Sequence, residues 1–190
     1  MDDFNYDSYC GIYCGACDIM MTYKTGKIHK LASFWNESTV KTFQKKTGIP
    51  YDENKPFTYK CNGCKSDTLF VNCAVCRIRD CAVSAKVEHC IDCNKYPCNL
   101  IVESQKVEPL LPHLKSNHTN METITKAGIT RWLAEQENMW KCPGCKTGFS
   151  WYTGKCQNCG KDLKEFTFKF SFWQSTILKL GIYLFSEKQK

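Results

Sequence analysis

Six Cys-x-x-Cys pairs carry whatever chemistry this chain performs: Cys14/Cys17, Cys61/Cys64, Cys73/Cys76, Cys90/Cys93, Cys142/Cys145 and Cys156/Cys159. Two intervening residues let the backbone turn until both thiolates face one cation. The last two pairs, Cys142, Cys145, Cys156 and Cys159, stand ten residues apart and read as a zinc ribbon. Zinc has no geometric preference of its own and suits a closed tetrahedron of four sulfurs, which leaves no position for a reactive water. Such a site is structural. So short a segment cannot bury enough apolar surface to fold alone, and metal supplies roughly 10–16 kcal/mol to comparable small folds.

Eight further cysteines, Cys61, Cys64, Cys73, Cys76, Cys81, Cys90, Cys93 and Cys98, satisfy two more four-ligand sites with none left over. Spacing leaves their grouping open. The triplet Cys73-x2-Cys76-x4-Cys81 recurs seventeen residues later as Cys90-x2-Cys93-x4-Cys98, which suggests a duplicated unit. His89 reads as a solvent-facing or hydrogen-bonding histidine and not a ligand, because adjacent residues seldom both reach one ion. The opening trio Cys10-x3-Cys14-x2-Cys17 is a possible additional site. It can hold three corners of an iron–sulfur cube, join a zinc site completed by Cys61 or a histidine, or form one more knuckle. Radical enzymes that cleave S-adenosylmethionine use the same spacing, but in a β/α barrel of on the order of 200 residues, and no strand–helix alternation appears here.

The fifteen cysteines favour metal over disulfides: their total is odd and they cluster as ligand pairs. Met1 leads into Asp2 and Asp3, not into a basic and then apolar stretch, so a cytoplasmic, reducing setting is expected. The formal charge of +7 counts every cysteine as a neutral thiol. Each four-thiolate zinc centre contributes about −2, so three of them would offset most of that excess. Arg77 and Arg79 read as cations that balance thiolate charge. The C-terminal stretch, broken by Lys169, Gln174 and Lys179, lacks the apolar run needed to span a membrane.

The elements that must position these sulfurs are mostly helical. Ile28, Leu31, Ala32, Trp35 and Phe43 recur at helical spacing over 27–46, and Gly48-Ile49-Pro50 ends that pattern. Short helices are expected over 99–106 and from Thr119 or Asn120 to Ala127. Ile129, Trp132, Leu133, Gln136, Met139 and Trp140 trace a further helical face that belongs in the core. Thr147 to Thr153 suits a β-hairpin between the last two knuckles, and Phe166, Phe168, Phe170 and Phe172 alternate as a strand. Trp173, Ile177, Leu180 and Leu184 then form an amphipathic helix expected to cover the knuckles or the strand. The expected fold is therefore a small α+β metal-stabilised protein. A mostly helical cysteine-rich domain spans 1–118, connecting helices 119–140, a β-hairpin zinc ribbon 141–165, and a strand with a C-terminal amphipathic helix 166–190.

Four linked motifs resemble a known family. They are Tyr9-Cys10-Gly11-x-x-Cys14-Gly15-x-Cys17, Cys61-Asn62-Gly63-Cys64, Cys73-x-x-Cys76-Arg77-Ile78-Arg79-x-Cys81-Ala82 and Cys90-x-x-Cys93-x-x-Tyr96-Pro97-Cys98-x-Leu100. Together they resemble the bacterial and archaeal family called domain of unknown function 3795, over about half the chain. Asp18 departs from the proline that members often carry there. The resemblance implies a metal-rich cytoplasmic protein of a kind common in anaerobes, with no established activity. No Ser/His/Asp set, phosphate loop or paired-carboxylate motif points to an enzyme. Three functions remain: a zinc-stapled adaptor for a protein partner; an iron–sulfur redox or cluster-handling protein using the N-terminal cysteines; and nucleic-acid binding through Lys141, Lys146, Lys155 and Lys161 with Phe149, Trp151 and Tyr152.

Overall fold

Glycines in the left-handed conformation end the first two helices in the computed structural model, which describes residues 3–50 and 56–187. Asp18–Thr25 (α1) stops at Gly26 and Glu37–Thr47 (α2) at Gly48, whose N–H groups return to the carbonyls of Thr22 and Gln44. The start of α2 is a capping box. Thr39 N–H donates to the Asn36 side chain at 2.9 Å, and Asn36 N–H donates to the Thr39 hydroxyl at 2.8 Å. That cap starts the helix at Glu37; the earlier apolar positions fall in a loop and the 3-10 turn Ala32–Phe34.

Val71–Ala74 (α3), Arg77–Ala85 (α4), Asn99–Gln105 (α5), Asn117–Ala127 (α6), Ile129–Met139 (α7) and Phe172–Glu187 (α8) follow. Gly128, at φ 80°, joins α6 to α7, and the two helices pack together. From α7, Trp132 is 1% exposed and meets Tyr13 edge-on, with ring centroids 6.0 Å apart. Burying rings of this size contributes a few kcal/mol each, at about 25 cal/mol per Å² of apolar surface. Met121, Ile124, Trp140, Phe149, Trp151, Tyr152 and Leu163 complete that core. A second cluster around Ile19, Ala32, Val40 and Phe70 binds α1 and α2 to the segment before α3. Tyr59 closes it by donating its hydroxyl to the Trp35 carbonyl at 2.8 Å.

The expected α+β fold is not what forms. Among the described residues there is no sheet, only isolated bridges at Lys141↔Gly148 and Lys155↔Asp162, so the C-terminal β-hairpin zinc ribbon is corrected to a pair of turns. A hairpin needs alternate residues to face water, whereas Phe149, Ser150, Trp151 and Tyr152 are all buried in succession. Their backbone groups bond elsewhere: Trp151 N–H donates to Ala16, and the Trp151 carbonyl accepts from Phe168 N–H. The segment from Phe166 to Phe170 forms no strand either. Phe166 N–H closes a turn on Leu163, and α8 takes over from Phe172. That helix packs on α2 and the Ala32–Phe34 turn, leaving Phe172 and Trp173 exposed. Among the described residues, no helix is long and apolar enough to cross a membrane.

Candidate metal centres

Each C-terminal Cys-x-x-Cys pair sits in the same local turn. Cys142 N–H donates to the Thr147 carbonyl at 2.9 Å while Lys146 N–H donates to the Cys142 carbonyl at 2.8 Å. In the second pair, Cys156 N–H donates to Lys161 at 2.8 Å and Gly160 N–H to Cys156 at 2.9 Å. The fifth residue of both turns is left-handed, Lys146 at φ 61° and Gly160 at φ 75°. The paired turns aim four sulfurs at one point. Cys142 and Cys159 stand 3.6 Å apart and Cys145 and Cys156 3.5 Å apart, and all four sulfurs lie within 4.8 Å of one another. A tetrahedral zinc with bonds of about 2.3 Å needs sulfurs about 3.8 Å apart. Side-chain hydrogen bonds with Thr147 and Asn158 pull the Cys145 thiol down to about 5, so one ligand favours the thiolate that a metal requires.

Four of the N-terminal cysteines come together around one cavity. Cys81 in α4, Cys90 and Cys93 around the 3-10 turn Cys90–Asp92, and Cys98 at the N-cap of α5 line one cavity. The seventeen-residue echo is therefore not a structural repeat: Cys81 sits inside a helix whereas Cys98 caps one, and Cys81 leaves its own triplet to join the next. Cys73 and Cys76 do not line that cavity. Burial raises Cys73 well above the ordinary thiol range, and the nearby thiols of Cys17, Cys61, Cys64 and Cys76 raise it further. Burial likewise raises Cys14, with Cys64, Cys17 and Cys73 adding to it. Cys14 and Cys17 thus lie near Cys61, Cys64 and Cys73, while Cys10 lies near Cys64, Cys76 and Cys90. Burial and neighbouring thiols push Cys17, Cys64 and Cys90 up to about 12, and the neighbours of Cys90 include Cys10 and Cys64 as well as Cys98 and Cys81.

Backbone bonds lace the first residues over these sulfurs. Asn5 N–H donates to Asn62 at 2.7 Å, Cys14 N–H to Tyr6 at 2.9 Å, and Cys90 N–H to Tyr9 at 2.7 Å. Gly63, at φ 115°, lies so close to Asn5 that a Cβ there would stand 1.9 Å from its carbonyl oxygen. Sequence reasoning missed the ion network beside them. The Asp7 carboxylate meets Lys65 Nζ at 2.6 Å and His89 Nε2 at 3.0 Å. Burial would raise the Asp7 carboxyl, but hydrogen bonds and charge from His89 and Lys65 outweigh it and hold the group below its ordinary range. Of the two roles its position beside Cys90 allowed, solvent-facing or hydrogen-bonding, His89 takes the second and is buried. No pattern in the sequence marked Asp7, since its partners lie 58 and 82 positions away. Arg79 donates from Nε to the Cys64 carbonyl at 3.0 Å and its charge favours the Cys64 thiolate, while Arg77 lies 3.9 Å from Glu103.

Phe149, Trp151 and Tyr152 are core residues and offer no stacking platform for bases. Lys141 is paired with Glu137 at 2.6 Å. Those three rings therefore stand in the core and not beside exposed Lys146, Lys155 and Lys161 on a shared face.

A family model described as "Protein of unknown function (DUF3795)" matches residues 6–103. No curated protein and no solved structure matches the chain. The match takes in more than half of the chain and every N-terminal cysteine discussed above, and the chain belongs to the DUF3795 family.

Proposed function

We propose that this protein is a zinc-stapled binding module, in which Cys142, Cys145, Cys156 and Cys159 hold one structural zinc and the helical surface engages a protein partner. The observation that carries the reading is the sulfur geometry, with separations of 3.5 and 3.6 Å that fit a single tetrahedral ion. Four ligands close the coordination sphere, so the metal staples and does not react. Its structural task follows from what lies between the two turns: Phe149, Trp151 and Tyr152 enter the main core, and the metal clamps both ends of that segment. All fifteen cysteines are free thiols, which suits a reducing, cytoplasmic setting.

Elemental analysis of purified full-length protein tests this directly. Wild type should carry one zinc more per chain than a Cys145→Ser/Cys156→Ser variant. Equal zinc in the two proteins, or iron in place of the zinc lost, would overturn the assignment.

A further inference from the structure

We propose that the cavity between α7 and the 3-10 turn Pro112–Ser116 binds a small, uncharged, planar heteroaromatic molecule with a hydrogen-bond acceptor at its edge. This goes beyond the zinc reading and stands apart from it, because no cysteine of the C-terminal quartet lines the cavity. The cavity volume is about 360 Å³, within the range of pockets that hold small ligands. Three features set the chemistry of the occupant. First, the walls are aromatic. Tyr13, Trp140, Trp151 and Phe168 line the cavity, and Phe166 stands half exposed beside them. Such walls gain most from a flat ring, through offset-stacked or edge contacts. Second, two polar side chains on the wall are buried and only half satisfied. Gln136 is 7% exposed, and its Oε1 accepts from Trp140 Nε1 at 3.3 Å. That bond fixes the amide orientation and leaves Nε2 as a donor without a partner among the described residues. His113 is 8% exposed, and its Nδ1 engages the Tyr152 hydroxyl at 2.7 Å while Nε2 stays unpaired. Water could pair with both edges but would leave the aromatic walls wet; a ring with an edge acceptor serves both. Third, the interior holds no charge. Among the described residues that line it there is no carboxylate, and Lys115 is exposed. Burial pushes the His113 ring down to about 3, so it is neutral at pH 7. An ionised ligand would lose its hydration there without a countercharge.

The test is calorimetric titration of full-length protein near pH 7, with its zinc content measured alongside. The probes are adenine, cytosine and nicotinamide, all flat, uncharged and equipped with edge acceptors. At least one should saturate a single site per chain and bind about tenfold more tightly than indole, a flat ring without an edge acceptor. Gln136→Leu removes the free donor and should weaken that probe about tenfold. Thr119 is exposed and lines the cavity, so Thr119→Trp narrows the site without removing a buried group and should weaken the probe as much. Absence of saturable binding by all three probes would overturn the proposal, as would indole binding as tightly as the best of them. Unchanged affinity in folded Gln136→Leu would overturn it too. If that variant fails to fold, Thr119→Trp decides, and unchanged affinity there counts against the site. Probe binding by protein that carries no zinc would strike only the proposed function.

Discussion

His113 lies flat on Trp151, with ring centroids 4.1 Å apart, and its Nδ1 is 2.7 Å from the Tyr152 hydroxyl. Burial disfavours the charged imidazolium and pushes the His113 ring down to about 3. Burial, with a smaller effect from Lys27, pushes His29 down to about 4. An unfolded chain takes up these protons near pH 6.5. Between pH 6.5 and 4 it therefore binds more protons than the folded chain does, and both histidines make stability fall with acid. Asp18 opposes them. Burial, against hydrogen bonds from Leu31 and Ser150, pushes its carboxyl up to about 7, so the fold gains stability from this proton as pH falls from 7 towards 4. A His113→Gln variant isolates one contribution. At saturating zinc its unfolding free energy, measured by denaturant titration, should fall less steeply than wild type over pH 6.5 to 4. The difference should be up to about 1.4 kcal/mol per pH unit. Equal slopes would mean that the ring is hydrated in the folded protein.

The paired turns of the C-terminal quartet are almost the same element twice, and their one mismatch is informative. Gly160 occupies the left-handed position without strain, whereas Lys146 holds φ 61° with a Cβ in place. A Lys146→Gly variant should gain about 0.5–1 kcal/mol and release zinc to a chromogenic chelator more slowly, with part of the relief lost to the freer unfolded chain. Faster release would show that the lysine charge beside the thiolates outweighs its backbone cost. Elements of this kind were only partly legible in the sequence. The face of α7 was readable because Trp132, Gln136 and Trp140 repeat at helical spacing and are buried together, although Met139 on the same list is 59% exposed. The start of α2 was missed because apolar spacing continued upstream of Asn36, where the capping box overrides it. The hairpin was misread for a different reason: β-prone aromatic residues describe a buried extended segment as well as a strand, and here their partners are Ala16 and Phe168.

At the scale of the whole molecule, cysteine spacing announced metal but not which sulfurs share it. Proximity depends on chain crossings: Cys81 lines one cavity with Cys90, Cys93 and Cys98, whereas Cys14 and Cys17 lie near Cys64 and Cys73. The same crossings couple the C-terminal quartet to the N-terminal half. Trp151 N–H reaches the Ala16 carbonyl at 3.0 Å, one residue before Cys17, and Phe149, Trp151 and Tyr152 share a core with Tyr13 and Trp132. Zinc at the quartet should therefore support the entire core and not a detachable tail. Zinc binding in small folds is worth roughly 10–16 kcal/mol, and each kcal/mol shifts the melting point of a chain this size by about 2–4 °C. Extraction with a strong chelator should lower Tm by more than about 10 °C. It should also shift tryptophan fluorescence to the red, because Trp132, Trp140 and Trp151 all lie in the loosened cluster. Zinc added back to the wild type should restore both signals, whereas the Cys145→Ser/Cys156→Ser variant should show the loosened spectrum from the outset. An unchanged Tm after verified removal of this zinc would mean that aromatic packing around Trp132 holds the two halves together without the staple.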